Sequence, residues 1–166
     1  MDKIQTIKTE TDELLKKMIE KFETEVQDDD GIFHILIKAE EEAPTVIGRH
    51  GETIRAIQKI LEVVLYKKFG EPMNILVNVN DYREKQKERL EGLAIQFAQK
   101  TQETKEPSYI RGLSSYERKV VHEYVTENYS DLTTYSVGEG RDRRLVVNLK
   151  SNEPTESDSV EKNKED

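Results

Sequence analysis

Apolar residues at Ile4, Ile7, Leu14, Leu15, Met18, Ile19 and Phe22 fall mostly three or four positions apart, which predicts one amphipathic helix over residues 4–22. Glu23 to Asp30 is polar apart from Val26, and Asp28-Asp29-Asp30-Gly31 has turn chemistry. Ile32 to Ile37 is nearly all apolar, with β-branched and aromatic side chains, and predicts a strand. A short strand ahead of the turn would pair with it as a hairpin. Ala43 to Ile47 is a short apolar segment that leads into Gly48-Arg49-His50-Gly51. Ile54, Ile57, Ile60, Leu61, Val64 and Leu65 then lay an apolar face on a long helix closed by Gly70 and Pro72. Met73 to Asn80 alternates, with Ile75, Val77 and Val79 on one side, as in a half-buried strand.

A third helix is predicted over residues 81–103, striped by Leu90, Leu93, Ala94, Phe97 and Ala98, with a densely charged first half suited to a connector over 81–106. After Pro107 the pattern changes to shorter elements. Tyr109-Ile110 predicts a short strand, and Ser114 or Ser115 caps a helix bearing Val120, Val121, Tyr124 and Val125. Leu132–Val137 and Leu145–Leu149 are strands of a hairpin across Gly138–Asp142. A core drawn from about 45 residues is marginal alone, so packing on the connector helix is expected. Residues 151–166 have no periodicity and are expected to form a disordered acidic tail.

The 166 residues allow one ordinary domain or two small ones, and 34% hydrophobic against 36% charged residues means modest cores under a highly charged surface. There is no cysteine, which excludes disulfides, thiolate zinc sites and cysteine nucleophiles. No signal-peptide pattern and no run of roughly 20 apolar residues is present, so a cytoplasmic location without membrane contact is expected. The net charge of −8 argues at first against a nucleic-acid partner, but it is uneven: residues 1–30 carry −5 and 151–166 carry −4, whereas 44–70 carry +3. With a Debye length of about 8 Å, local fields outweigh the sum.

Two motifs carry chemistry. In Val46-Ile47-Gly48-Arg49-His50-Gly51-Glu52-Thr53-Ile54, glycines lacking Cβ let a ligand backbone approach, and the helix that follows offers N–H groups and a positive dipole end. It is neither G-x-G-x-x-G nor a P-loop. With the flanking order of elements, the region over roughly residues 10–80 resembles a KH domain of type II-like arrangement, in which a G-x-x-G loop clamps about four nucleotides of a single strand. The resemblance implies a three-stranded sheet packed on helices, with Gly48, Arg49, His50 and Gly51 at the strand's backbone and Ile47, Ile54 and Ile57 on the apolar side of the groove.

The second motif is Arg118-Lys119-Val120-Val121-His122, in which Arg118 and His122 stand four apart on one helix face, a fork for phosphate beside a hydrogen-bonding ring. With the Tyr116-Glu117-Arg118 helix start, the Ser136-Val137-Gly138-Glu139-Gly140 turn and Arg143-Arg144, residues 107–150 resemble the R-three-H domain, a small α+β module associated with single-stranded nucleic acids. The resemblance makes Arg118 and His122 the binding pair and adds phosphate contacts from Arg143 and Arg144. Both modules in one chain are similar to the bacterial Jag family of RNA-binding proteins, also called KhpB. That family often has a further N-terminal Jag domain, for which these residues hold no counterpart, and commonly two basic residues in the loop where this chain has Arg49 and His50. Because a histidine loses its charge as pH rises, weaker binding at high pH is expected.

The expectation is an α+β chain with a KH-like domain over 1–80, a connector helix and an R-three-H domain over 107–150. It binds single-stranded RNA, acts after transcription and needs no cofactor or metal. Single-stranded DNA is the alternative ligand. A protein-interaction adapter, docking on a second KH protein or a second copy, is the alternative function. Catalysis is not expected: G-x-S-x-G and H-E-x-x-H are absent, and His34, His50 and His122 sit in separate elements.

Overall fold

The structure, a computed structural model, describes residues 2–152. Its described residues divide at Gln86–Lys87 into two compact units. The first contains α1 (Lys3–Leu15), β1 (Glu23–Asp29), β2 (Ile32–Lys38), α2 (Ala43–Ile47), α3 (Glu52–Phe69), β3 (Asn74–Val79) and the first turn of α4 (Tyr82–Thr104). The second contains the rest of α4, β4 (Ser108–Ile110), α5 (Ser115–Asn128), β5 (Leu132–Val137) and β6 (Arg144–Leu149). The α+β class is as expected, with one three-stranded sheet in each unit. The proposed tail lies outside the described residues from 153 onward; Ser151 and Asn152 end a 3₁₀ turn begun by Lys150.

In the first unit the strand order is β1-β2-β3, with β1 antiparallel to β2 and β2 parallel to β3. Parallel neighbours need a crossover, and α2 and α3 supply it. The alternation of β2 and β3 turns Phe33, Ile35, Ile37, Ile75, Val77 and Val79 toward Ile54, Ile57, Leu61 and Leu65 of α3, and Ile7 and Leu15 of α1 join the same core. Burying each such large side chain contributes about 1.5–3 kcal/mol before the entropy of ordering is counted.

Two local departures from the sequence pattern have clear causes. The first helix ends at Leu15, not at residue 22. The chain turns there, and the Glu42 carboxylate accepts the Glu20 and Lys21 amides, the latter at 2.8 Å. Ile19 and Phe22 therefore reach the core from a loop. The acidic stretch is strand almost to its end: β1 runs through Asp29, and only Asp30 (φ 48°) and Gly31 (φ 86°) form the turn. Two left-handed residues in a two-residue loop match the twist of the strands they join, and Asp28 Oδ1 accepts the Gly31 amide at 2.9 Å.

In the second unit β6 is central, flanked antiparallel by β4 and β5. One face of this sheet, through Ile110, Leu132, Leu145 and Val147, packs with Val121 and Val125 of α5 and with Leu90, Ala94 and Ala98 of α4. Thus the apolar stripe of the charged helix is core to this unit. Glu117, fully buried, accepts the Ser114 amide at 2.8 Å while Ser114 Oγ accepts the Glu117 amide, a capping box that starts α5. The same carboxylate pairs with Arg89 of α4.

Candidate nucleic-acid interface

The glycine loop is a 3₁₀ turn, Arg49–Gly51, between α2 and α3. Gly48 has φ 71° and ψ 178°, and Gly51 is left-handed at φ 73°. Both glycines answer needs inside the fold. A Cβ on Gly48 would stand 2.7 Å from Thr53 Cβ and 2.9 Å from the Thr53 amide nitrogen. A Cβ on Gly51 would stand 2.8 Å from the Tyr82 hydroxyl. Three loop amides are already used: Gly48 N–H donates to Pro44 at 2.9 Å, Gly51 N–H to Gly48 at 3.3 Å, and Glu52 N–H to Arg49. The first turn of α3 therefore presents fewer open donors than its sequence suggested.

What the loop turns outward is Arg49, which is exposed, while Gly48 and His50 are half-buried and Gly51 is buried. Ile47 is half-buried against the core, and Ile54 and Ile57 lie within it. One residue not marked by the sequence borders this region. Tyr82 covers Gly51. Arg83 donates from Nε to the Val77 carbonyl at 2.6 Å and from Nη2 to Gln58 Oε1 at 3.1 Å, and Gln58 Oε1 accepts the Val77 amide at 3.2 Å. The β3 edge is thereby capped at Val77 by side chains of α3 and α4.

In the second unit Arg118 and His122 lie one turn apart on α5, as their spacing requires. Arg118 Nη1 donates to the Leu113 carbonyl at 2.8 Å and Nη2 to Ser115 Oγ at 3.0 Å, which fixes the plane of the guanidinium. His122 Nδ1 meets the Thr134 hydroxyl of β5. When that nitrogen accepts the hydroxyl proton, the neutral ring carries its own proton on Nε2 and can donate it elsewhere. Arg118, Lys119, His122 and Arg143 line a shallow concavity of about 650 Å³ with Ser115, Thr134 and Ser136, and no carboxylate is in its wall. Lys119 also pairs with Glu123 at 3.6 Å. The concavity at the start of β1 is the opposite case, bordered by Glu20, Glu23, Glu40, Glu41 and Glu42.

Arg143 and Arg144 are separated by the pleat. Arg143 joins Arg118 and His122, whereas the Arg144 guanidinium lies 5.4 Å from the ring centre of Tyr109 on the other face of the sheet. Thr134 was not singled out from the sequence, and Ser115 and Ser136 were marked only as a cap candidate and a turn residue. Only the register of β5 against β6, with Thr134 opposite Val147, turns Thr134 toward α5. Among the described residues no group of three or more histidine or acidic side chains is placed to hold a metal ion, and no helix is long and apolar enough to cross a membrane.

The R-three-H domain family matches residues 88–149. That span lies within the second unit, which is thus similar to an R-three-H domain. Its match covers the Glu117 capping box, the Arg118–His122 pair and the β5–β6 hairpin, and it takes in most of α4, whose side chains complete the core. The chain is also similar to proteins named RNA-binding protein KhpB. It is 35% identical to that of Bacillus subtilis over 112 residues, which is 66% of this chain and 53% of that protein. It is 31% identical to that of Lactiplantibacillus plantarum over 105 residues, 63% of this chain and 32% of that protein. With Streptococcus pneumoniae serotype 2 the identity is 30% over 102 residues, 61% of this chain and 31% of that protein. The resemblance to the Jag or KhpB proteins therefore stands, and the chain spans about half or less of the length of these relatives.

Proposed function

We propose that this chain binds single-stranded RNA by its sugar–phosphate backbone and regulates its targets after transcription, as a binder rather than an enzyme. The observation that carries the reading is the groove of the second unit: in a chain of net charge −8, Arg118, Lys119, Arg143 and His122 share one concave wall that has no carboxylate. The pre-oriented Arg118 fork suits a phosphate oxygen pair, and His122 Nε2 donates beside it. The relatives' printed name, an RNA-binding protein, supports the same ligand. In the first unit, which has the order of elements of a KH domain, the outward Arg49 with His50 makes a second backbone contact across Gly48 and Gly51, beside the half-buried Ile47.

Fluorescence anisotropy with a labelled single-stranded RNA, and with DNA of the same sequence, tests the reading. Arg118→Ala with His122→Ala should weaken RNA binding by about tenfold or more, the scale of one or two lost charged hydrogen bonds. Unchanged affinity in a folded double variant would sink the groove assignment. Equal affinity for RNA and DNA would widen the ligand class to single strands in general.

One observation favours a second reading, protein docking on the first unit. Ile60, Val63 and Tyr66 of α3 are exposed, Val63 at 60%, beside a concavity bordered by Ile32 and Met73. RNA-independent self-association abolished by Val63→Glu would favour that adapter role.

A further inference from the structure

The face of the second unit's sheet turned away from the helices carries an unexplained pair of aromatic rings. Tyr109 on β4 and Tyr135 on β5 both stand opposite Val146 of β6, so the three residues form one row across the sheet. Their neighbours Ser108, Ile110 and Thr134 are buried on the helix side, which puts the tyrosines on the outer side. Tyr109 is 49% exposed and Tyr135 36%, while Val146 between them is only 2% exposed. The backbone positions that carry the two rings lie two strand spacings apart, about 10 Å. Arg144 leans on Tyr109, its guanidinium carbon 5.4 Å from the ring centre.

We propose that this row is a stacking platform for unpaired nucleobases, reached by the same strand whose phosphates occupy the Arg118–His122–Arg143 groove. The proposal rests on that groove reading and extends it to the opposite face. Two features join the faces. Tyr135 lies on the edge strand β5 and also borders the groove, so the platform begins where the groove ends. Arg143 and Arg144 are consecutive and diverge, one to the groove and one to the platform, so a strand rounding the sheet meets a cation on each side. Arg111 follows β4 directly and stands at the same end of the sheet as the start of β6, because β4 and β6 run antiparallel. Every base has a π face, so exposed rings beside arginines accept single strands with little sequence preference. A row that served only to cover Val146 would work equally well with aliphatic side chains.

The chain contains no tryptophan, so Tyr109→Trp creates a single reporter in the platform. Oligoadenylate should quench its emission as binding, followed separately by anisotropy, saturates. An abasic ribose–phosphate oligomer of the same length should bind through the groove without quenching. Tyr109→Leu, at a position outside the groove lining, keeps an apolar side chain over Val146. This variant should lose about tenfold or more in oligoadenylate affinity and change by less than about twofold toward the abasic oligomer. Oligoadenylate that binds without quenching, and equally well to the Tyr109→Leu variant, overturns the platform and leaves the groove reading standing. Failure of the unmodified chain to bind any single strand overturns the groove reading, and the platform with it.

Discussion

The glycines of the loop illustrate how one residue can satisfy the fold and a ligand for different reasons. Gly48 and Gly51 both have positive φ, which costs a residue with Cβ about 1–2 kcal/mol, and the atoms a Cβ would meet at Gly48 include the backbone of Thr53. Gly48→Ala should therefore lower stability by at least about 1–2 kcal/mol, seen as a lower urea midpoint with no RNA present. An unchanged midpoint would mean that the glycine is kept for the ligand alone. Loss of RNA binding in a glycine variant is thus ambiguous, and the charged positions are the cleaner test. Arg49→Asp alone should weaken RNA affinity while leaving the midpoint close to that of the unmodified chain, and adding His50→Asp should weaken affinity sharply. Retained affinity would remove the loop from the interface. Arg118 differs from Arg49 in being tied to Leu113 and Ser115, so its replacement also loosens the start of α5.

At the scale of elements, the buried Glu117 decides where α5 begins. Its carboxylate takes the Ser114 amide and the Arg89 guanidinium, so a single side chain fixes the helix start and ties α5 to α4. Arg89 is 52% exposed and can rehydrate if its partner is removed. Glu117→Ala therefore costs chiefly the capping box and an unsatisfied amide, about 1–3 kcal/mol. The check is a thermal or urea midpoint, with Glu117→Asp as the comparison in which the carboxylate is retained but shortened. Because Arg118 follows Glu117, the same change should reduce RNA affinity even though Glu117 does not line the groove. Leu90→Ala makes the parallel point for α4: a helix densely charged at its start still buries a core side chain, and the loss should be about 2–5 kcal/mol.

At the scale of the whole molecule, charge is segregated. An acidic chain can hold a polyanion only where its cations face one wall and its carboxylates face elsewhere, as around Arg118 and Arg143. Binding should weaken as salt rises, with a log–log slope of roughly −0.7 for each phosphate neutralised on a single strand. A salt-independent interaction would favour the protein-docking reading. If both units hold one strand, the tether raises the effective concentration of the second contact. Lengthening an oligonucleotide should then strengthen binding to the unmodified chain far more than to Arg49→Asp/His50→Asp.

Much of this protein was determined locally. Apolar spacing in α3 and α5, alternation in β3, the Asp30-Gly31 turn and the Ser114 cap act within a few residues, so their placement follows from side-chain period and backbone preference. The Arg118–His122 pair was legible for the same reason, since four residues on a helix make one face. What the tertiary structure alone decided depends on partners distant in sequence. The Glu42 carboxylate helps end α1 early, Tyr82 covers Gly51, and Ile54 is core. The register of β5 on β6 sets Thr134 against His122, and the pleat sends Arg143 and Arg144 to opposite faces. A motif marks which residues lie near one another along the chain, but only packing and register determine which face they share.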